Sequence, residues 1–300
     1  MTARQLNMYA LTSIMWGASF YWLALCIPEF DWAATVAFRS FIAAGLLLIV
    51  ALVTRRRLNF KNEWKNLAIL GLFSVGLNLG GMNFALTRIN PAIVAILTAT
   101  IPLYSLIIEW VWHRKRPSTS MIIGLLIGFT GVVLLIGFTP QRLDVHFLVG
   151  FLGSAIASSG FAFGGSWAKA HLKDLGNYEQ TIGTFIFGGL WTLPLILIVP
   201  IAVMPPSLKA IGALVVVAAT ASSFAYILYF KLVDQIGATR ALTTEFFVPV
   251  VAVILSWLAL GKTITLLQLL ASVVIFVGCV LVMGFGDKKH AALDQDAVAH

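Results

Sequence analysis

Apolar residues along this chain fall into ten runs, at approximately 7–27, 32–53, 66–87, 91–112, 119–138, 147–169, 179–200, 209–231, 238–260 and 263–285. Each is close to the roughly 20 residues that an α-helix needs to cross the hydrocarbon of a bilayer. Several stretches carry no charged residue between their ends: Arg4 to Glu29, Lys65 to Arg88, Arg116 to Arg142, Asp144 to Lys169 and Glu179 to Lys209. The gaps between runs are short and leave no room for a soluble domain. The pattern predicts an all-α integral membrane protein of ten transmembrane helices, with a disordered tail over 287–300. The run after Arg4 is too long for the apolar region of a signal peptide and has no small-x-small cleavage pattern, so it is read as the first transmembrane helix.

The pattern repeats. With Ala92 aligned on Ala238 and one extra residue allowed in the second copy, Pro102 falls on Pro249, Trp110 on Trp257 and Gly131 on Gly278. Helices 4–5 then correspond to helices 9–10, and the unit is five helices long. An odd number of crossings sets the second copy upside down, the inverted-topology arrangement of many secondary transporters, whose sites lie near the midplane between the halves. The expected division is a first repeat over 1–140, a second over 141–286 and the tail.

Composition agrees with this. The chain is 60% hydrophobic and 11% charged, against about 25% charged in soluble proteins, so lipid must solvate most of its surface. The net charge of +8 does not point to nucleic acid, because the basic residues sit in short loops between apolar runs. With the N-terminus inside, 15 Lys and Arg fall on the inner side and four (Arg88, Arg142, Lys209, Lys262) on the outer, with Arg39 in the membrane. That bias predicts cytoplasmic termini. Cys26 and Cys279 lie in separate apolar runs and suggest helix packing rather than a disulfide or metal site.

Polar side chains on spanning helices avoid lipid and mark an interior or a cavity. On helix 4, Ala95, Thr98, Pro102, Ser105 and Glu109 share one stripe; on helix 9 the matching stripe is Leu242, Glu245, Pro249, Ala252 and Ser256. The paired prolines are expected to kink both helices. Glu245 lies about seven residues, roughly 10 Å, into helix 9, where a carboxylate is costly unless paired, hydrated or protonated. Two readings stand for it: a proton-coupling or substrate-amine group, or an ion pair with Arg240, Lys231 or Arg39. Arg39, in helix 2, could bind a substrate carboxylate or snorkel to the outer interface, the favoured expectation. Glu109 is expected to pair with the basic knot Arg114-Lys115-Arg116. Asn78 in helix 3, Ser158 in helix 6 and Ser222 and Tyr226 in helix 8 complete the candidate substrate-binding set with Trp16, Thr98 and Glu245. Trp16 sits mid-helix in Trp16-Gly17-Ala18-Ser19-Phe20, where it could wall a pocket or simply pack; Trp110, Trp112 and Trp257 near helix ends read as interface anchors. The five histidines are in loops or the tail, and no catalytic set, metal-ligand spacing or nucleotide-binding loop is legible, so neither enzyme nor cofactor is expected.

These residues resemble the drug/metabolite transporter superfamily in its ten-helix EamA-type branch. The resemblance rests on Trp16-Gly17-Ala18-Ser19-Phe20, on Arg39 with Ala43 and Leu46-Leu47-Leu48, and on the two copies of a Pro-containing helix followed by a Gly-rich one, and it spans residues 7–285. It implies an inverted repeat in a bacterial inner membrane that exports amino acids, other metabolites or drugs, with helices 1, 3, 4, 6, 8 and 9 lining the cavity and helices 5 and 10 peripheral. One departure is clear. The family often carries Gly-Glu after helices 4 and 9; here stand His113-Arg114-Lys115-Arg116 and Gly261-Lys262. The expected function is a secondary active exporter of small metabolites, amino acids first, with multidrug efflux as the rival and a passive channel or an intramembrane enzyme as remote alternatives. The expected partners are a small-molecule substrate and the lipid bilayer; the sequence is silent on oligomeric state.

Overall fold

The computed structural model describes residues 1–114, 116–137, 144–260 and 265–284. The tail 287–300, the loop residues Lys115, Arg142, Gly261 and Lys262, and the side chains of His113, Ser256 and Trp257 lie outside the described residues. Among the described residues every regular element is a helix, and nine helical spans are long and apolar enough to cross a membrane. They cover all ten predicted runs, because the first span, α1 (Ala3–Val53), holds two of them. A straight 51-residue helix would reach about 75 Å, more than twice the roughly 30 Å of hydrocarbon.

The chain does not run straight. Asp31 has φ 62° and ψ 171°, a conformation that side chains other than glycine rarely adopt. Local bonds hold it: the Asp31 carboxylate accepts from the Trp32 amide at 2.5 Å, and the Asp31 carbonyl accepts from the Thr35 hydroxyl at 2.6 Å. Glu29, just before the break, accepts from the amide and hydroxyl of Ser207 at 2.6 and 2.8 Å. Ser207 caps α9 (Leu208–Val217), which continues through a π-helical segment (Ala218–Phe224) into α10 (Ala225–Ile236). Trp16 reaches the carbonyl of Ala221, Arg39 reaches Ser222, and Ser223 reaches the carbonyl of Ala43. Both halves of α1 therefore run beside the same helix, and the chain doubles back at Asp31.

The second span joins α2 (Trp64–Gly71), a π-helical segment (Leu72–Leu77) and α3 (Asn78–Leu86). The third is interrupted at Ala99 and Thr100, giving α4 (Pro91–Thr98) and α5 (Ile101–His113). The remaining elements are α6 (Thr119–Ile136), α7 (Val145–His171), α8 (Asn177–Thr192), α11 (Ala238–Leu242), α12 (Thr244–Leu260) and α13 (Leu266–Met283). Polar caps set several starts: Ser118, Asp144 and Thr265 each accept from the backbone three residues on.

Adding 147 to a residue number carries Thr119 onto Leu266 and Ile136 onto Met283, so α6 and α13 superpose end for end in sequence. Adding 146 carries Leu72, where the first π segment starts, onto Ala218, where the second does. The helices α6 and α13 pack against each other in a hydrophobic cluster that takes in Ala99 and Phe246. A side chain placed on Gly124 would lie 2.7 Å from the Gly278 carbonyl, and one on Gly131 would lie 3.1 Å from the Ala271 carbonyl. Partners fall in number on α13 as they rise on α6, so the pair is antiparallel. The 147-residue correspondence also exchanges the two contacts: Gly124 maps to Ala271 and Gly131 to Gly278. The outer face of α13 bears Leu266, Leu269, Leu270, Val273, Phe276 and Val277, all exposed, as suits a helix solvated by lipid.

Candidate functional site

A small cavity lies where α1, α3, α4, α7, α10 and α12 converge. Six predicted residues line it: Trp16, Arg39, Asn78, Thr98, Tyr226 and Glu245. Ser19, Phe20, Met82 and Phe161 are among the residues that join them. Its volume is about 40 Å³, counted as the space a water molecule's centre can reach, which is room for about three waters.

The helix irregularities build this site. Proline has no amide hydrogen and removes the bond to the carbonyl four residues earlier. For Pro102 that carbonyl belongs to Thr98, and for Pro249 to Glu245; both residues face the cavity, and 147 carries one onto the other. The prolines are not placed as the expected matched mid-helix kinks. Pro102 starts α5 after the Ala99–Thr100 interruption, whereas Pro249 lies inside α12, and that span breaks earlier, at Thr243. A proline that opens a helix needs no donor, so the first break relaxes into two helices.

The π segments expose backbone acceptors as well. The indole of Trp16 donates to the Ala221 carbonyl at 3.1 Å, and the Tyr226 hydroxyl donates to the Ser74 carbonyl at 3.1 Å. Ser74 and Ala221 stand in the two π segments, 147 residues apart. Each π segment thus has one carbonyl held by an aromatic side chain of the cavity. The Trp16 ring also packs edge-on to Phe161 and Tyr226, at 5.7 and 5.8 Å between centroids.

Two ionisable groups share this cavity. Arg39 is 2% exposed, so it does not snorkel to an interface as expected; small neighbours on α1 and the π segment let it turn inward. Its Nε donates to Ser222 Oγ at 2.5 Å, and one terminal nitrogen, Nη1, is buried without a partner. Glu245 is 8% exposed and has no ion pair among the described residues, where only Arg56 and Glu179 come within 4.0 Å as an ion pair. The expected pairing of Glu245 with Arg240, Lys231 or Arg39 is therefore absent there; Arg240 instead donates to the Val282 carbonyl at 3.3 Å. Asn78 donates to the Ala157 carbonyl at 3.2 Å, which leaves its amide oxygen for a ligand.

Other expectations fall outside the cavity wall. Ser158 donates to the Leu97 carbonyl at 2.9 Å and ties α7 to α4. Ser222 stands behind Arg39 as its acceptor. Glu109 does not pair with Arg114 or Arg116, which are exposed; one of its oxygens accepts from Thr239 at 2.8 Å, and Thr239 meets Ser105 at 3.0 Å. The helical stripe turns Glu109 toward α11; the third residue of the knot, Lys115, lies outside the described residues. Among the described residues no group of three or more His, Cys, Asp or Glu could hold a metal ion. Phe161 and Met82 went unrecognised in the sequence; Phe161 stands one helical turn past Ser158, a spacing that could have placed it on the same face.

The sequence profile of the EamA-like transporter family matches the chain over residues 6–137 and again over 148–284. An uncharacterized transporter of Archaeoglobus fulgidus is 22% identical over 276 residues, covering 91% of this chain and 96% of that protein. The uncharacterized transporter YoaV of Bacillus subtilis is 22% identical, covering 89% and 92%. The uncharacterized inner membrane transporter YedA of Escherichia coli is 25% identical, covering 90% and 87%. A crystal structure described only as that of a protein superposes with a TM-score of 0.76 at 16% identity, over 94% of this chain and 98% of that one; this likeness concerns the fold alone.

Proposed function

The chain belongs to the EamA-like transporter family, a family of multi-pass membrane transporters, and from that premise we propose that it is a secondary carrier exporting small metabolites, amino acids first, by alternating access. The carrying observation is a buried cation and a buried carboxylate, Arg39 and Glu245, in one cavity with no ion pair between them. A zwitterion complements that pair: its carboxylate on the guanidinium, its ammonium on Glu245, with Asn78 and Thr98 between. An apolar side chain would lie against Trp16 and Phe161. The rival reading, efflux of cationic drugs, is disfavoured by Arg39, whose fixed charge would repel them. The intramembrane enzyme and the passive channel rank below these two readings, because the lining brings together a cation and a carboxylate as a zwitterion requires.

We read the architecture as ten helices in two inverted five-helix repeats, 1–140 and 141–286. Four observations support it: the reversal at Asp31, the two profile matches, the matching π segments, and the antiparallel packing of α6 on α13. In an inverted pair the halves exchange roles, so what opens the cavity on one side closes it on the other. The paired π segments and the carbonyls freed by Pro102 and Pro249 are the natural bending points. Cytoplasmic termini follow from the Lys and Arg bias, and a bacterial inner membrane accords with the relative YedA.

The test is transport by the purified protein in proteoliposomes, with a panel of labelled amino acids and cationic dyes, with and without a pH gradient. Saturable flux and counterflow of neutral amino acids are expected, lost in Glu245→Gln and impaired in Asn78→Ala. Dye transport without amino-acid transport, or flux that does not saturate, contradicts the proposal.

A further inference from the structure

A second and larger hollow lies apart from the central cavity. It is a groove of about 440 Å³ between the first half of α1 and helices α12 and α13. Its lining is almost wholly apolar, and its lips (Leu6, Ile14 and Phe276) are exposed, so it opens sideways from the bundle into the surrounding lipid. Its floor is stitched closed against the interior: the Tyr9 hydroxyl meets Thr243 Oγ1 at 2.8 Å, and Ser13 reaches the Thr244 carbonyl at 3.3 Å. The groove therefore does not lead to Glu245.

A cation stands at one end of it. Met283, in the last turn of α13, lines the groove. The carbonyl of the preceding residue, Val282, accepts from Nε of Arg240, which is otherwise exposed. That bond holds the guanidinium beside the Met283 end of the groove, and among the described residues its two terminal nitrogens have no partner, so they are available to grip a phosphate. Arg240 has no ion pair among the described residues. Subtracting 146 from its number gives Val94, which is buried, so the matching place in the other half carries no cation.

We propose that this groove binds one anionic phospholipid per chain, with an acyl chain laid along Tyr9, Ala10, Phe247 and Phe276 and the phosphate on Arg240. The apolar groove supplies the fit to the chain and Arg240 the selection of the headgroup. A lipid seated there braces α1 against α12 and α13, three helices whose mutual packing leaves the hollow unfilled.

Native mass spectrometry of the intact protein in a neutral detergent tests this, titrating phosphatidylglycerol and phosphatidylcholine of identical acyl chains. One phosphatidylglycerol is expected to bind about fivefold more tightly than phosphatidylcholine, the effect of one cation at an anionic headgroup. Arg240→Gln should abolish that preference, and Arg240→Lys should keep part of it. Ala10→Trp, which fills an exposed part of the groove, should weaken both lipids; melting curves establish that each variant is folded. Equal binding of the two lipids by the native protein, an undiminished preference in Arg240→Gln, or unchanged binding in Ala10→Trp overturns the proposal.

Discussion

Glu245→Gln separates a carboxylate kept for function from one kept for structure. The side chain is 8% exposed, lines the cavity and has no ion pair among the described residues. A charged group within a spanning helix costs about 2.5–3.5 kcal/mol on insertion scales. An amide of the same shape, unpartnered, costs about 1–2 kcal/mol in its place. Removing the charge should therefore stabilise the fold by about 1–2 kcal/mol, which for a chain of this size corresponds to a rise in melting temperature of a few degrees, at about 2–4 °C per kcal/mol. Transport driven by a proton gradient should be lost at the same time, as when a residue is retained for activity at a cost in stability. The assay is thermal unfolding in detergent by intrinsic fluorescence, paired with uptake into proteoliposomes from the same preparation. A lower melting temperature would mean that the carboxylate holds the bundle together, and unchanged transport would remove it from the site.

Further substitutions follow from the geometry. Trp16→Phe and Tyr226→Phe keep a ring but strip the donor from the Ala221 or the Ser74 carbonyl; each should cost about 1–2 kcal/mol and slow transport, measured by melting and initial rates. Ser222→Ala leaves Arg39 without the partner of its Nε and should destabilise by about 1–3 kcal/mol, whereas Ser222→Thr should retain the bond and the stability. Gly124→Leu thrusts a side chain at the Gly278 carbonyl, which a Cβ would meet at 2.7 Å. It should cost about 1–3 kcal/mol or more by overpacking, yet leave the transport rate per folded molecule unchanged, because α6 and α13 lie apart from the cavity.

Hydropathy alone places the spans, because a run of about 20 apolar residues has few other uses. The ends of α6 and α13 are legible too, as Ser118 and Thr265 announce their starts. The polar stripes name two of the cavity's residues, Thr98 and Glu245, and Arg39, Asn78 and Tyr226 stand out singly, since a hydrogen-bonding tip at mid-membrane depth is expensive anywhere else. What hydropathy cannot supply is direction. Arg39 reads equally well as a snorkelling or an inward residue until Ser222, 183 positions away, is seen to receive it. Glu109 is adjacent in sequence to a basic knot, yet its partner Thr239 lies 130 positions off. The π segments leave still less trace. Leu72–Leu77 and Ala218–Phe224 have only Ser and Phe in common, and nothing but their 146-residue spacing relates them. The break at Asp31 is the converse case: Pro28 and Asp31 fall in the gap between two apolar runs, and there the backbone leaves the helical conformation.

Alternating access around the central cavity is tested most directly by a single cysteine at Thr98, introduced with Cys26 and Cys279 replaced. Thr98 lines the cavity, and Cys26 and Cys279 are the two cysteines of the sequence, so their replacement leaves no background thiol. A membrane-impermeant thiol reagent is applied to proteoliposomes from the outside, and separately from within the lumen. Labelling of Thr98→Cys from either side, with each side's labelling suppressed when a transported amino acid is in excess, is the expected result. Labelling from one side only, whatever substrate or gradient is present, would contradict a carrier whose two halves take turns in opening this site.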